Sequence, residues 1–224
     1  ASAPPLAEGS KFKPQELVAA AMLGDVVVVL AGRPDQPASS IRELVQRLKE
    51  APSKFKYAST GVGTPSHLLM ESLIAKMGLS ITHIPYNSSP QLLTDLMGGN
   101  GGDFALLDPM LAAEQIKSGR LKGIAVTGRK RWSVLPSLPA FAEEFPDLDQ
   151  QAWMTVSAPA QTPRAILERV NAIVSNAIQK TDLGDELRLK GLEPRSLDVE
   201  ELNRFISAEI VRWGELVKRF ATKS

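Results

Sequence analysis

Short runs of apolar residues alternate along the chain with segments in which apolar residues recur every three or four positions. The short runs predict buried strands, and the recurring pattern predicts helices with one apolar face. This alternation is typical of an α/β fold with a largely parallel sheet. We predict strands at Asp25–Ala31, Phe55–Ser59, Ile81–Pro85, Asp103–Leu107, Lys122–Thr127 and Trp153–Ala158.

Small polar residues placed just before proline or an apolar pattern mark the starts of several helices. Such residues cap the first amides of a helix, and proline fits the first helical position. Ser40 and Glu43 form a capping-box pattern. The pairs in which a cap precedes proline are Ser89–Pro90, Asp108–Pro109 and Thr162–Pro163.

After Thr162 the pattern becomes almost entirely helical, with two long apolar faces that need a surface to cover them. The first face consists of Ile166, Leu167, Val170, Ile173, Val174 and Ile178, and the second of Leu202, Phe205, Ile206, Trp213, Leu216 and Phe220.

Two irregular, proline-containing stretches indicate where the chain passes between compact parts, namely Arg33–Ala38 and Leu135–Leu148. We therefore predict two lobes. Residues 32–150 form the second lobe, and residues 1–31 together with 151–224 form a first lobe that carries the C-terminal helices.

Composition excludes several classes of function. With 26 basic and 25 acidic residues the net charge is +1, so we expect no nucleic-acid partner. The chain has no cysteine and only His67 and His83 as histidines, so we expect no metal site and no cofactor. No apolar run approaches the roughly 18 residues of a membrane span, and we expect no direct membrane insertion. The first ten residues show no signal-peptide pattern.

The segment Tyr57–Leu68 carries the clearest chemical signal, because it predicts a strand, a glycine turn and then a helix. Thr64 lies at the N-cap position and Pro65 at the first helical position. Gly61 and Gly63 permit positive φ angles, so that free backbone amides and the positive end of the helix dipole can meet an anion. The hydroxyl groups of Ser59, Thr60, Thr64 and Ser66 can add hydrogen bonds.

Two other interpretations of this turn remain open. The glycines can serve only to relieve crowding between strand and helix. Alternatively, residues 61–66 form a degenerate dinucleotide-binding motif, although Ser66 stands where that motif has glycine or alanine, and the next strand, Ile81–Pro85, contains no acidic residue. A nucleotide-dependent enzyme is the function that this second interpretation implies.

Three further residues are candidates for the same site. His67 falls in the first helical turn, where it can contact a ligand, organise the loop or simply lie on the surface. Tyr86 follows a strand and can line a cleft or pack as a half-buried aromatic residue. Asp108 can bind a ligand donor or only cap its own helix. No acid and base lie together as in an enzyme active site, since Glu143 and Glu144 have no nucleophile beside them.

Successive blocks across nearly the whole chain resemble the Bug (TctC-like) family. The blocks are Ser-Thr-Gly-Val-Gly-Thr-Pro-Ser-His-Leu at 59–68, Ile-Pro-Tyr-Asn-Ser at 84–88, Asp-Leu-Met-Gly-Gly at 95–99, Ser-Gly-Arg-Leu-Lys-Gly-Ile-Ala-Val-Thr at 118–127, Leu-Pro-Ser-Leu-Pro-Ala-Phe-Ala-Glu at 135–143, Trp153, Ala-Pro-Ala-Gln-Thr-Pro at 158–163 and Arg212-Trp213.

The resemblance implies a two-lobed, type II-like periplasmic solute-binding protein of the venus-flytrap kind, which is not an enzyme. It implies capture of a small carboxylate between the lobes for the membrane subunits of a tripartite tricarboxylate transporter. The ligand residues that it implies are Ser59, Thr60, Gly61, Val62, Gly63 and Thr64. It also supports a lining role for Tyr86 and a ligand contact by Asp108, and we add His67 as a further candidate. The glycine-rich first-lobe loop of the family has no counterpart here, so we expect a truncated first lobe with exposed apolar surface. A receptor-derived sensory or protein-interaction module that binds no solute is the alternative.

Overall fold

The computed structural model describes residues 16–51, 54–146 and 151–221. The strands are β1 (Leu17–Val26), β2 (Val29–Gly32), β3 (Lys56–Ser59), β4 (Thr82–Pro85), β5 (Phe104–Leu107), β6 (Lys122–Val126), β7 (Ala152–Pro159) and β8 (Leu192–Glu193). The helices are α1 (Ile41–Glu50), α2 (Pro65–Lys76), α3 (Ser89–Gly98), α4 (Pro109–Lys117), α5 (Phe141–Glu144), α6 (Arg164–Lys180), α7 (Leu183–Leu189) and α8 (Val199–Leu216), and a π-helical segment follows at Val217–Ala221.

The chain divides into two compact units. The larger unit consists of Val27–Gln151, and the smaller unit contains the residues up to Val26 together with those from Ala152 onward. The sequence placed the first change of unit between residues 31 and 32, whereas the structure places it between Val26 and Val27.

This shift arises because the apolar run Asp25–Ala31, which predicted a single strand, contributes residues to two strands. β1 ends at Val26 in a sheet of the smaller unit, and β2 starts at Val29 in the sheet of the larger unit. A continuous apolar run predicts burial on both sides of such a break, and it gives no signal of where the chain changes sheet. The prediction of a single strand here was wrong.

The sheet of the larger unit has the strand order β4-β3-β5-β2-β6. β3 is parallel to β4 and β5, whereas β2 is antiparallel to both β5 and β6. All strands of this sheet except β2 therefore share one direction, close to the largely parallel sheet that we predicted. The sheet of the smaller unit, β7-β1-β8, is antiparallel, so there the prediction was wrong.

The directions of β3, β4 and β5 decide where the helices of the larger unit begin. Because these strands run the same way, their carboxyl ends lie at one edge of the sheet. Each is followed directly by a helix, α2, α3 and α4 respectively. The positive N-terminal ends of these helices therefore start from the same edge, which is where ligands commonly bind in sheets of this kind.

The core of the larger unit is built from the strands and the inner faces of the helices that cover them. Val29, Ala105 and Val126 from neighbouring strands pack with Leu92 and Leu96 from α3. The helix starts follow the predicted logic, since Ser40 caps α1 through the amide of Glu43 and Asp108 caps α4. This packing gives the carboxyl edge of the sheet a rigid support.

The smaller unit packs α6 and α8 against β1. Ala19, Met22, Trp153 and Leu202 form its core cluster. The N-cap of α6 is Pro163 and not the predicted Thr162. Within the described residues 16–51, 54–146 and 151–221, no helix has the length and apolar character needed to cross a membrane.

The predicted apolar face of α6 is only partly covered. Leu167 and Ile178 are buried, but Ile166 and Ile173 are 52% and 59% exposed. On α8, Val211 is 63% exposed. The two long C-terminal helices therefore carry exposed apolar side chains.

Candidate functional site

The loop that joins β3 to α2 has the backbone geometry that its sequence predicted. Gly61 and Gly63 have φ angles of 124° and 78°, values that favour glycine. Thr64 is the N-cap of α2, with its side chain accepting a hydrogen bond from the amide of His67, and Pro65 takes the first helical position. We refer to residues 59–66 as the glycine loop.

The amides of both glycines and of Thr64 are already occupied. Gly61 N–H donates to Oγ of Ser59 at 3.2 Å, Gly63 N–H donates to Nδ1 of His67 at 3.2 Å, and Thr64 N–H donates to the Gly61 carbonyl at 3.3 Å. The expectation that these amides are free was therefore wrong. The acceptors are atoms of Ser59 and Gly61 in the loop itself and of His67 in the helix that follows it.

The amides that remain open lie between and beside the occupied ones. In the part of the chain that the structure describes, the backbone N–H groups of Thr60, Val62 and Ser66 have no hydrogen-bond acceptor. Val62 is 47% exposed, and Thr60 and Ser66 are partly exposed. Because Ser66 lies in the first turn of α2, its amide adds to the positive end of the helix dipole.

Three hydroxyl groups accompany these amides. Oγ of Ser66 lies 3.2 Å from Oγ1 of Thr64 and 3.5 Å from Oγ1 of Thr60. Thr64 Oγ1 also donates to the Gly61 carbonyl at 2.7 Å, which commits its proton to the loop. The hydroxyl groups of Thr60 and Ser66 can rotate toward a bound oxygen atom. Together with the open amides they form a small set of donors that suits an anion.

Ser59, at the start of the glycine loop, and His67, which follows it in α2, are both buried. Ser59 is 0% exposed and His67 is 4% exposed, so His67 is not a surface residue. The Ser59 hydroxyl lies 2.7 Å from Nε2 of His83, and it also bonds the Gly61 amide. These positions correct the expectation that Ser59 presents its side chain to a ligand, because burial leaves that side chain to support the loop. For His67 they agree with the alternative of loop organiser.

An aromatic cluster lies next to the glycine loop, in which Tyr57 and His67 are buried and His83 is partly buried. The His83 ring stacks on Tyr57 at a centroid distance of 4.7 Å, and the His67 and His83 rings are 4.4 Å apart. The Tyr57 hydroxyl donates to the carboxylate of Glu71, and burial together with this carboxylate raises the pKa of Tyr57. Sequence reasoning missed Tyr57, Glu71 and His83 as parts of the site. The signal that could have found His83 is its position directly opposite Tyr57 in the parallel pairing of β3 and β4.

Burial favours the neutral form of both histidines. Burial lowers the pKa of His67, and the nearby Glu71 carboxylate opposes this effect. Burial, and secondly the adjacent His67, lower the pKa of His83 to about 4. Neutral imidazoles can accept hydrogen bonds, which is the role that His67 Nδ1 has toward Gly63.

Tyr86 and Asp108 follow β4 and β5 at the same edge of the sheet. The Tyr86 side chain is 9% exposed and belongs to the core cluster, and its hydroxyl bonds Asp95, which together with burial raises the pKa of Tyr86. The Tyr86 side chain therefore packs in the core and does not line an open surface. Oδ1 of Asp108 accepts from the amides of Met110 at 3.0 Å and Leu111 at 3.2 Å, which is the capping alternative.

Among the described residues, no three His, Cys, Asp or Glu side chains are grouped so that they could hold a metal ion. The donors of the glycine loop are amides and hydroxyl groups, which bind oxygen atoms of a ligand and do not ligate cations through nitrogen. The arrangement is therefore chemically suited to hold a small negative group without a metal.

Comparison with known families and sequences gives consistent matches. The sequence profile of the family described as tripartite tricarboxylate transporter family receptor matches residues 3–221. BugT of Bordetella pertussis is 29% identical over 231 residues, which cover 99% of this chain and 70% of BugT. A UPF0065 protein from the tcbD–tcbE intergenic region of a Pseudomonas species is 31% identical and covers 91% of this chain and 60% of its own length.

Several solved structures with the same architecture are at least 25% identical to this chain. R. palustris Rpa4515 with adipate superposes with a TM-score of 0.78 at 27% identity, covering 94% of this chain and 71% of that one. The periplasmic binding protein BugD gives 0.73 at 26% identity, covering 97% and 74%. MatC from Rhodopseudomonas palustris with bound malate gives 0.71 at 25% identity, covering 95% and 74%. The chain thus spans about three quarters of BugD and MatC.

Proposed function

The chain belongs to the tripartite tricarboxylate transporter receptor family, and from this membership we propose that it captures a small carboxylate reversibly at the glycine loop. The family resemblance and the two-lobed α/β class predicted from the sequence are confirmed. The proposal gives the molecule a binding function, with no covalent step and no cofactor.

The observation that carries this proposal is the set of open backbone amides at Thr60, Val62 and Ser66. A carboxylate has two oxygen atoms that each accept hydrogen bonds, and amides supply such bonds without a cation. Each charge-assisted bond contributes about 1.5–3 kcal/mol. The first turn of α2 and the hydroxyl groups of Thr60 and Ser66 add to the same preference for negative charge.

The chemical class of the ligand follows from two of the similar proteins. One was solved with adipate and another with malate, and both are small dicarboxylates. We propose that this chain also binds a small organic acid of this size. By the same reasoning its location is periplasmic, and its partners are the membrane subunits of a tripartite transporter.

The direct test is a binding panel on the 224-residue chain. Adipate, malate, a monocarboxylate and a tricarboxylate are compared with NAD and ATP by thermal shift and by isothermal titration calorimetry. We expect stabilisation by at least one carboxylate, because a ligand that binds only the folded state raises its stability. Stabilisation by a nucleotide alone would overturn the receptor function in favour of a nucleotide-dependent enzyme. A dimer that responds to nothing in the panel would favour the protein-interaction module.

A pair of variants then locates the site. Thr60→Val removes one hydroxyl group of the glycine loop at nearly constant volume, and Thr82→Val makes the same change at an exposed position of β4. We expect Thr60→Val to weaken carboxylate binding by a factor of roughly three to ten, and Thr82→Val to leave it unchanged. Equal affinities for the two variants would place the carboxylate elsewhere.

A further inference from the structure

We infer that His67 and His83 are positioning residues, which hold the glycine loop from below so that the Val62 amide stays open to a ligand. This inference rests on the proposed function, because it concerns the same site. Neither histidine touches the ligand in this account, and each acts through a neighbouring amide.

The two imidazoles are hydrogen-bonded to the loop on either side of Val62, His67 directly and His83 through the Ser59 hydroxyl. His67 Nδ1 accepts the Gly63 amide at 3.2 Å. His83 Nε2 bonds the Ser59 hydroxyl at 2.7 Å, and that hydroxyl accepts the Gly61 amide at 3.2 Å. The amides on either side of Val62 are thus both tied to buried groups, and the Val62 amide between them is left without an acceptor among the described residues.

The conformational freedom of Gly61 and Gly63 explains why the loop needs these hydrogen bonds. Gly61 and Gly63 have φ angles of 124° and 78°. Glycine reaches these angles easily, but it reaches many other conformations just as easily. A loop with two such residues needs fixed partners to keep one geometry, and a binding site loses affinity when its donors must be ordered by the ligand. His67 is buried and His83 is partly buried, and the rings packed against both imidazoles restrict their rotation, so that they supply such partners.

The hydrogen bond from the Gly63 amide requires a neutral imidazole at His67. Its Nδ1 is an acceptor, so the proton of the neutral ring is on Nε2; protonation of Nδ1 would set a donor against the Gly63 donor. The titratable groups that face the pair are Tyr57 on β3, which stacks on His83, and Glu71 on α2, which interacts with His67. The rings of His67 and His83 lie 4.4 Å apart, so a charge on one disfavours a charge on the other.

Two substitutions at His67 separate the positioning role from simple packing. His67→Asn keeps an acceptor at the δ position and does not titrate, whereas His67→Leu keeps an apolar side chain and loses the acceptor. Adipate affinity is measured for the wild type and both variants from about pH 7.5 to about pH 5, the range in which histidine changes charge. Protonation of adipate affects all three proteins equally, so differences between their profiles report on residue 67.

Glycine labelled with ¹⁵N provides a readout that does not depend on the ligand. The chain has 16 glycines, which gives a simple amide spectrum in which the Gly63 signal can be followed with pH. This measurement remains informative if no carboxylate binds, so failure of the proposed function and failure of this inference are distinguishable.

We expect the wild type to lose affinity more steeply toward acid than His67→Asn, and His67→Leu to bind roughly tenfold more weakly at neutral pH. The Gly63 amide signal should move with pH in the wild type and stay constant in His67→Asn. The inference is overturned if His67→Asn follows the wild-type pH profile, or if His67→Leu retains wild-type affinity with an unchanged Gly63 signal.

Discussion

The Ser59 hydroxyl lies 2.7 Å from Nε2 of His83, which joins the carboxyl end of β3 to the middle of β4. Parallel pairing sets Tyr57 opposite His83, and the two rings stack. The support of the glycine loop therefore comes from a neighbouring strand as well as from the helix that follows the loop. We therefore expect the stability of the larger unit to depend on the charge of the His83 imidazole.

Acid should destabilise the protein through His83. Its pKa is lowered to about 4 in the folded chain, while an unfolded chain restores a value near 6.5, so the unfolded state binds the proton first as pH falls. The contribution of this group to the free energy of unfolding is complete above about pH 6.5 and is lost progressively toward about pH 4. With allowance for the partial exposure of the ring, the loss is about 1–2 kcal/mol.

Urea denaturation of the wild type and of His83→Gln at neutral and acidic pH measures this loss. Gln cannot titrate, and its side-chain oxygen can replace Nε2 as a partner for Ser59. We expect the variant to lose less stability between the two pH values than the wild type does. Equal losses would show that His83 is not protonated on unfolding.

Gly61→Ala should remove carboxylate binding with a moderate loss of stability. A Cβ atom at this position would meet no atom closer than 3.7 Å, so the cost comes from the φ angle of 124°, which an L-residue rarely adopts. Such backbone strain is worth about 1–3 kcal/mol, and we expect the loop to change conformation to relieve it.

Gly78→Ala is the matched control for this change. Gly78 also has a positive φ, 65°, and a Cβ atom there would meet nothing within 4 Å, but it lies beyond the far end of α2. We expect about 1 kcal/mol of destabilisation and unchanged affinity for a carboxylate. Equal loss of affinity in both variants would mean that the loss reflects general destabilisation and not the glycine loop.

The fold of the larger unit was largely predictable because its signals are local. Caps such as Ser40 and Asp108 and the apolar faces behind them are determined within one turn of helix, and the structure places them as expected. The two-sheet division at Val26 was not predictable, since apolar residues are buried on both sides of it, Met22 before it and Val27 after it. Which sheet a buried strand joins depends on distant partners, which an apolar run does not encode.

The candidate site divides in the same way. The positive φ angles of Gly61 and Gly63 and the cap at Thr64 were predictable from residue type. The direction of each amide was not, because it depends on acceptors such as His67 Nδ1 that the fold brings into place. His83 was missed as a supporting residue, since its contact with Ser59 spans 24 positions in the chain.

The role of Asp108 can be decided by comparing two substitutions. Asp108→Asn keeps a side-chain oxygen for the amides of Met110 and Leu111, whereas Asp108→Ala removes it. If Asp108 only caps α4, Asp108→Ala should cost about 1 kcal/mol in the free energy of unfolding, and Asp108→Asn should resemble the wild type in stability and in carboxylate affinity. A change in affinity for Asp108→Asn, with stability retained, would instead indicate that the carboxylate of Asp108 faces the ligand.

Two glycine substitutions in the smaller unit should have opposite signs. A Cβ atom on Gly24 would overlap the carbonyl oxygen of Glu193 and lie 2.8 Å from its carbonyl carbon, so Gly24→Ala must push β8 away from β1. A Cβ atom on Gly214, inside α8, would meet nothing within 4 Å. We expect Gly24→Ala to destabilise the protein by about 1–3 kcal/mol through overpacking.

Gly214→Ala should stabilise it by about 0.5–1 kcal/mol, because alanine loses less conformational entropy in a helix. Thermal and urea unfolding of both variants checks the signs, and destabilisation by Gly214→Ala would mean that α8 is more closely covered at this position than the structure shows.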